Sequence, residues 1–97
     1  MKVKPSQEIL FYDGSPLKGS DGKVITVKDL IINSVNFIDQ EGKQSGEDKN
    51  KAFEISIKVY SQEDVELSID ERSFILKMAE KALVPIAYGR LKETLEK

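Results

Sequence analysis

Chemistry has few places to come from in this chain, which contains neither cysteine nor histidine. That excludes thiolate nucleophiles, disulfides, thiolate or imidazole metal sites and every histidine-containing triad. Carboxylates, Lys, Tyr and Ser/Thr remain, or a hard cation held by oxygen. The richest stretch is "FYDGSPLKGSDGKVITVKDLI", Phe11 to Ile31, with three glycines and two Asp-Gly pairs. A phosphate-cradling G-x-x-x-x-G-K-[ST] loop needs glycine where Leu17 stands and a hydroxyl where Val24 stands. A calcium loop begun at Asp13 meets Ser15, Leu17 and Lys18 at its next required positions, and an apolar residue and a cation do not ligate calcium. The gaps between Gly14, Gly19 and Gly22 also miss the G-x-G-x-x-G spacing. The glycines read as turn formers, and no metal or cofactor is expected.

The acids gather between residues 61 and 72, where Glu63, Asp64, Glu66, Asp70 and Glu71 stand against one cation, Arg72. Asp64/Glu66 or Asp70/Glu71 supply the carboxylate pair that glycoside hydrolysis needs. Neighbours this close on a turn act more simply as solubilising charges and helix-dipole partners. As a group they are candidates for docking a basic partner; the plainer reading is a solvated acidic turn. Lys77, Lys81, Arg90 and Lys92 offer a basic face across the last two helices, but only Tyr88 lies nearby and Glu80, Glu93 and Glu96 interleave. Tyr60, Phe74, Met78 and Tyr88 have the composition of an interface hot spot, but residues at this helical spacing are more often core, and core is the expectation for them.

Composition narrows the classes further. The chain has 97 residues, 39% hydrophobic and 33% charged, with a net charge of −2. That suits one domain over residues 1–97 with a modest core, and a deep substrate pocket would compete with that core, so no enzyme is expected. There is no basic excess of the kind that neutralises nucleic-acid phosphates. The start, "MKVKPSQEI", lacks the apolar segment of a secretory signal, and no apolar run reaches the length of a membrane span. A cytoplasmic protein is the expectation.

The elements that position these residues begin after a short polar lead. "EILFY" (Glu8–Tyr12), the Asp13-Gly14 turn, "PLK", "GSDG" and "KVIT" predict a short N-terminal β-hairpin within residues 1–26. Thr26 with Asp29 suggests a capped helix from Val27 to about Asp39, its apolar face formed by Leu30, Ile31, Ser34, Val35, Phe37 and Ile38. A mobile polar loop over residues 40–47 follows. Ser45 caps the next segment, and Glu47 and Asp48 suit the positive end of a helix.

That segment is ambiguous. Phe53, Ile55, Ile57 and Val59 alternate with polar residues as in a strand, while Ala52/Phe53, Ile57 and Tyr60 share a helical face. The acidic capped start favours helix, from Gly46 to about Ser61. Val65–Leu67 reads as a short extended piece. Ser68 and Glu71 form a capping box for a helix whose buried stripe is Ile69, Phe74, Ile75, Met78, Ala82 and Leu83. Val84-Pro85 breaks it and starts a last helix, Pro85 to Glu96, faced by Val84, Tyr88, Leu91 and Leu95. Gly89 inside that helix would admit close approach of another backbone.

The fold class is therefore α+β, mainly helical: an N-terminal hairpin followed by about four helices, residues 27–97, around one core. The order "DGSPLKGSDGKVITVKDLI", "SGEDK", "KVYSQEDVELSIDE" and "LVPIAYGRLKETLE" resembles that of small, largely uncharacterised proteins encoded by bacteriophages and prophages. The resemblance implies a helix over Phe53–Tyr60 and a phage or prophage context, and it transfers no catalytic residue. The resulting expectation is a non-catalytic protein-interaction module, an accessory, assembly or host-modulating protein in a bacterial cytoplasm. Its candidate contact residues are Glu63, Asp64, Glu66, Asp70, Glu71, Tyr88 and Arg90, and its partner is another protein or a second copy of itself. The alternative is a nucleic-acid-binding accessory protein using the Lys/Arg of the last two helices.

Overall fold

The structure, a computed structural model, describes residues 2–37 and 45–96. Its centre is α1 (Val27–Val35), the shortest helix and the most deeply buried. Val27, Leu30, Ile31, Ser34 and Val35 are all inaccessible, so α1 touches α2 (Gly46–Ser61), α3 (Ile69–Ala82) and α4 (Pro85–Leu95) at once. A buried serine is tolerated there because its hydroxyl donates to the Leu30 carbonyl at 2.7 Å, so that hydroxyl is not left unpaired. Ile55 and Val59 of α2, Ile75 and Ala79 of α3, and Leu91 and Leu95 of α4 close around it.

Each helix starts where the local chemistry indicates. The Thr26–Asp29 capping box closes in both directions, although aspartate takes the place usually held by glutamate. Ser45 accepts from the Asp48 amide, and the Ser68–Glu71 box is complete. Pro85 occupies the first turn of α4. The expected helix over Val27–Asp39 ends sooner, at Val35. Asn36 leaves helical geometry, and its side-chain amide donates to the Ile32 carbonyl and to Ser56 on α2. Phe37 thus lies outside the helix, half-buried, and Ile38, Asp39 and residues 40–44 of the expected loop lie outside the described residues. Its last residues, Gly46 and Glu47, belong to α2.

The N-terminal part is more closed than one hairpin. Three extended pieces pair through the bridges Glu8–Thr26, Leu10–Pro16 and Lys18–Val24. Ile9 N–H donates to Ile25 C=O at 2.9 Å, Ile25 N–H to Leu17 C=O at 2.8 Å, and Leu17 N–H to Ile9 C=O at 2.8 Å. This triangle places Ile9, Leu17 and Ile25 against the core. Gly14 (φ 87°) and Gly22 (φ 81°) make its two turns, in the left-handed region that glycine enters without strain. The preceding residues are more than a polar lead. β1 (Lys2–Val3) pairs antiparallel with β2 (Val65–Glu66), while the Pro5 and Gln7 carbonyls accept from Lys28 and Val27 at the start of α1.

Expected core positions on three helices are corrected. Ile69 is exposed, because it stands in the first turn of α3, off the stripe formed by Ile75, Met78 and Ala79. Val84 is exposed because it precedes Pro85 with extended geometry, so helical spacing does not reach it; Ala87 takes its place. In α2 the buried residues are Ala52, Ile55 and Val59, whereas Phe53, Ile57 and Tyr60 face outward.

Candidate functional site

The stretch that opened the chemical search is occupied by its own turns. Asp13 accepts from the Ser15 hydroxyl at 2.6 Å and amide at 2.9 Å, which hold its carboxyl below the ordinary carboxylate range. Asp21 accepts from the Lys23 amide at 3.0 Å. The first amides of α1, which an anion would need, already bond to Gln7, Pro5 and Thr26. Among the described residues no group of three or more acids is placed to hold a metal ion.

The acidic candidates divide by position. Glu63, Asp64, Glu66 and Asp70 are exposed around the C-terminal end of α2 and the start of α3. Glu71 is half-buried and already engaged: both of its oxygens lie 3.0 Å from Lys58 Nζ, which also donates to the Glu66 carbonyl at 2.7 Å. Burial pushes the Glu71 carboxyl up, but the Ser68 amide and the Lys58 ammonium outweigh it and hold the pKa below its usual value. Lys58 therefore ties α2, β2 and α3 together.

Arg90 is likewise turned inward. Its Nε donates to Leu10 C=O and its Nη2 to Phe11 C=O, both at 3.0 Å, and its Nη1 pairs with Glu93 at 3.3 Å. One guanidinium thus clamps the first N-terminal turn to α4. Tyr88 is half-buried against the core. Lys77, Lys81 and Lys92 are exposed, whereas Arg90 is engaged at the turn and paired with Glu93. The aromatic group splits as well: Met78 is buried, Phe74 and Tyr88 are half-buried, and Tyr60 is exposed.

What sequence reasoning did not reveal is that the Phe53, Ile57 and Tyr60 face of α2 points outward. Phe53, Ile57 and Tyr60 are 62%, 51% and 69% exposed, and their i, i+4, i+7 spacing sets them in one row. At about 100° per residue, positions two apart lie on nearly opposite sides of a helix. The strand-like alternation therefore gives α2 two apolar faces, with Ile55 and Val59 in the core and Phe53 and Ile57 outside. Lys28 Nζ sits 4.8 Å from the centre of the Tyr60 ring, a cation–π contact that fixes the ring. A cleft of about 430 Å³ opens beside Tyr60, and its lining includes Lys4, Lys28, Glu63 and Asp64. Its mixed charges and loop walls favour no small ligand. Three large apolar side chains exposed in a row on one helix are instead the arrangement of a helix-in-groove or helix–helix contact.

No protein-family model matches the chain, and neither curated proteins nor solved structures are detectably similar to it. The functional reading accordingly rests on the molecule's own surface.

Proposed function

We propose that this chain is a non-catalytic protein-interaction module that docks a protein partner on the outer face of α2. The observation that carries the proposal is the exposed Phe53–Ile57–Tyr60 stripe directly opposite a complete core face. A helix whose second face stayed in water would gain nothing from three large apolar residues there, whereas a partner that covers them gains their burial. The acidic bend at Glu63 and Asp64 ends the stripe and favours a partner with a cation at the matching position. The resemblance to small phage and prophage proteins supports an accessory, assembly or host-modulating role in a bacterial cytoplasm. The exposed members of the acidic group border this surface, while Glu71, Tyr88 and Arg90 serve the fold.

The test is site-specific photo-crosslinking in bacterial cells, with a benzophenone amino acid replacing Ile57 in one variant and Lys92, on α4, in another. Adducts to a protein from position 57, absent from position 92, are the expected result. No adduct from position 57 in the correctly folded variant overturns the proposal.

A further inference from the structure

We infer that the occupant of the α2 outer face is a second copy of this chain, packed antiparallel about a two-fold axis near Ser56 and Ile57. This rests on the docking role proposed above and adds the identity of the partner. Along the face the exposed side chains run Lys49, Phe53, Ile57, Tyr60 and then the acidic bend of Glu63 and Asp64. Lys49 stands at one end, Glu63 and Asp64, which share a cleft with Lys4 and Lys28, at the other, and apolar residues between. Two parallel copies would set Lys49 against Lys49 and acid against acid. Antiparallel copies instead turn each Lys49 toward the partner's acidic bend.

The register follows from the same symmetry. Phe53 lies as far before the midpoint between Ser56 and Ile57 as Tyr60 lies after it, all four within α2, and Asp64 stands in the bend past its end. An antiparallel alignment therefore places Phe53 against the partner's Tyr60, twice over, with the two Ile57 side chains near the axis, and turns Lys49 toward the bend that carries Glu63 and Asp64. Such self-complementarity is what a two-fold interface requires. Glu47 does not spoil the match: two residues from Lys49, it projects about 160° away on the other flank of the helix. Tyr60 is held by Lys28 before any partner arrives, which lowers the ordering cost of association.

The size of the contact sets its strength. Aromatic side chains offer about 150–250 Å² each, so at the observed exposures the three stripe residues contribute roughly 350 Å² per copy. With the flanking polar residues the total approaches about 1,000 Å², the low end at which contacts are weak or transient, so a weak dimer with a dissociation constant on the order of 10–100 μM is expected.

Sedimentation equilibrium decides the matter, and the lack of cysteine removes disulfide artefacts. The wild-type chain is expected to dimerise in that range. Lys49→Glu and Asp64→Lys alone should each weaken the dimer about three- to tenfold, since each removes two symmetry-related pairs. The Lys49→Glu/Asp64→Lys double variant should return to within about twofold of wild type, because the swap restores opposite charges across the axis. Both positions are on the surface, and thermal melts confirm that the variants fold. A chain that stays monomeric to about 0.5 mM, or a double variant no better than the singles, overturns the second copy as occupant. The crosslinking experiment separates the two failures: adducts from position 57 to a different protein sink this inference alone, and no adduct at all sinks the docking role with it.

Discussion

Replacing Ile55 and Ile57 by alanine, one at a time, makes the same chemical change two residues apart on α2. Ile55 is wholly buried and Ile57 is 51% exposed. Each change removes three carbons, about 2.4 kcal/mol of transfer free energy at ~0.8 kcal/mol per methylene when burial is complete. At Ile55 the cavity adds to that, and a cost of about 3 kcal/mol is expected. At Ile57 only about half the transfer term applies, and alanine's better helix propensity returns about 0.4 kcal/mol. The expected net cost there is below about 1 kcal/mol. Urea unfolding followed by circular dichroism, at about 1 μM protein so that association does not contribute, reads the difference as a shift in midpoint. With a slope of about 1–1.5 kcal/mol per molar, Ile55→Ala should lower the midpoint by about 2–3 M and Ile57→Ala by less than about 1 M. Were the segment a strand, both residues would face the same side. Equal costs would therefore refute the helix with two apolar faces.

Three further outcomes are expected. Gly89 lies inside α4 with no atom within 4 Å of a Cβ placed on it, so close helix approach does not explain it. Gly89→Ala should stabilise the protein by about 0.5–1 kcal/mol in the same urea assay. Arg90→Ala releases the Leu10 and Phe11 carbonyls, and amide exchange in residues 9–17 should accelerate at a stability cost of about 1–2 kcal/mol; Arg90→Lys should not restore protection, since an ammonium cannot reproduce the fork. Glu71 has its pKa lowered in the folded state, so its contribution is present above the ordinary carboxylate value near 4.5 and is lost as pH falls through the lower folded value. Glu71→Gln should flatten that part of the acid unfolding curve without changing the slope above pH 6.

The legible parts of this molecule were those decided by a few neighbouring residues. Thr26 with Asp29, Ser45, Ser68 with Glu71, and Pro85 each mark a helix start, and each start falls there, because capping is chemistry within one turn. The left-handed geometry of Gly14 and Gly22 follows from Asp-Gly turns in the same way. Pairings between distant segments left no local mark. Lys2–Val3 meets Val65–Glu66 through only two residues on each side, and Arg90 reaches back to Leu10 and Phe11 across most of the chain. The candidate site was half legible. Alternation at Phe53, Ile55, Ile57 and Val59 was visible, but its two explanations, a strand or a helix apolar on both sides, share one pattern. Only the packing of Ile55 and Val59 on α1 separates them. The acids and Arg90 drew attention by charge, and in the fold Glu71 and Arg90 are tied up by Lys58 and by backbone carbonyls.

The claim that the outer face of α2 docks a second copy of the chain is tested residue by residue by a dilution series of ¹H–¹⁵N correlation spectra. On raising the concentration from micromolar to millimolar, amide shifts are expected to move in α2 and the acidic bend after it, from Lys49 to Asp64. Amides of α4 and of the turn at Leu10–Tyr12 should stay still. Spectra that do not change with concentration, or shifts centred on Leu10–Tyr12, Ile69 and Val84, where the other exposed large apolar residues among those described lie, would contradict that claim.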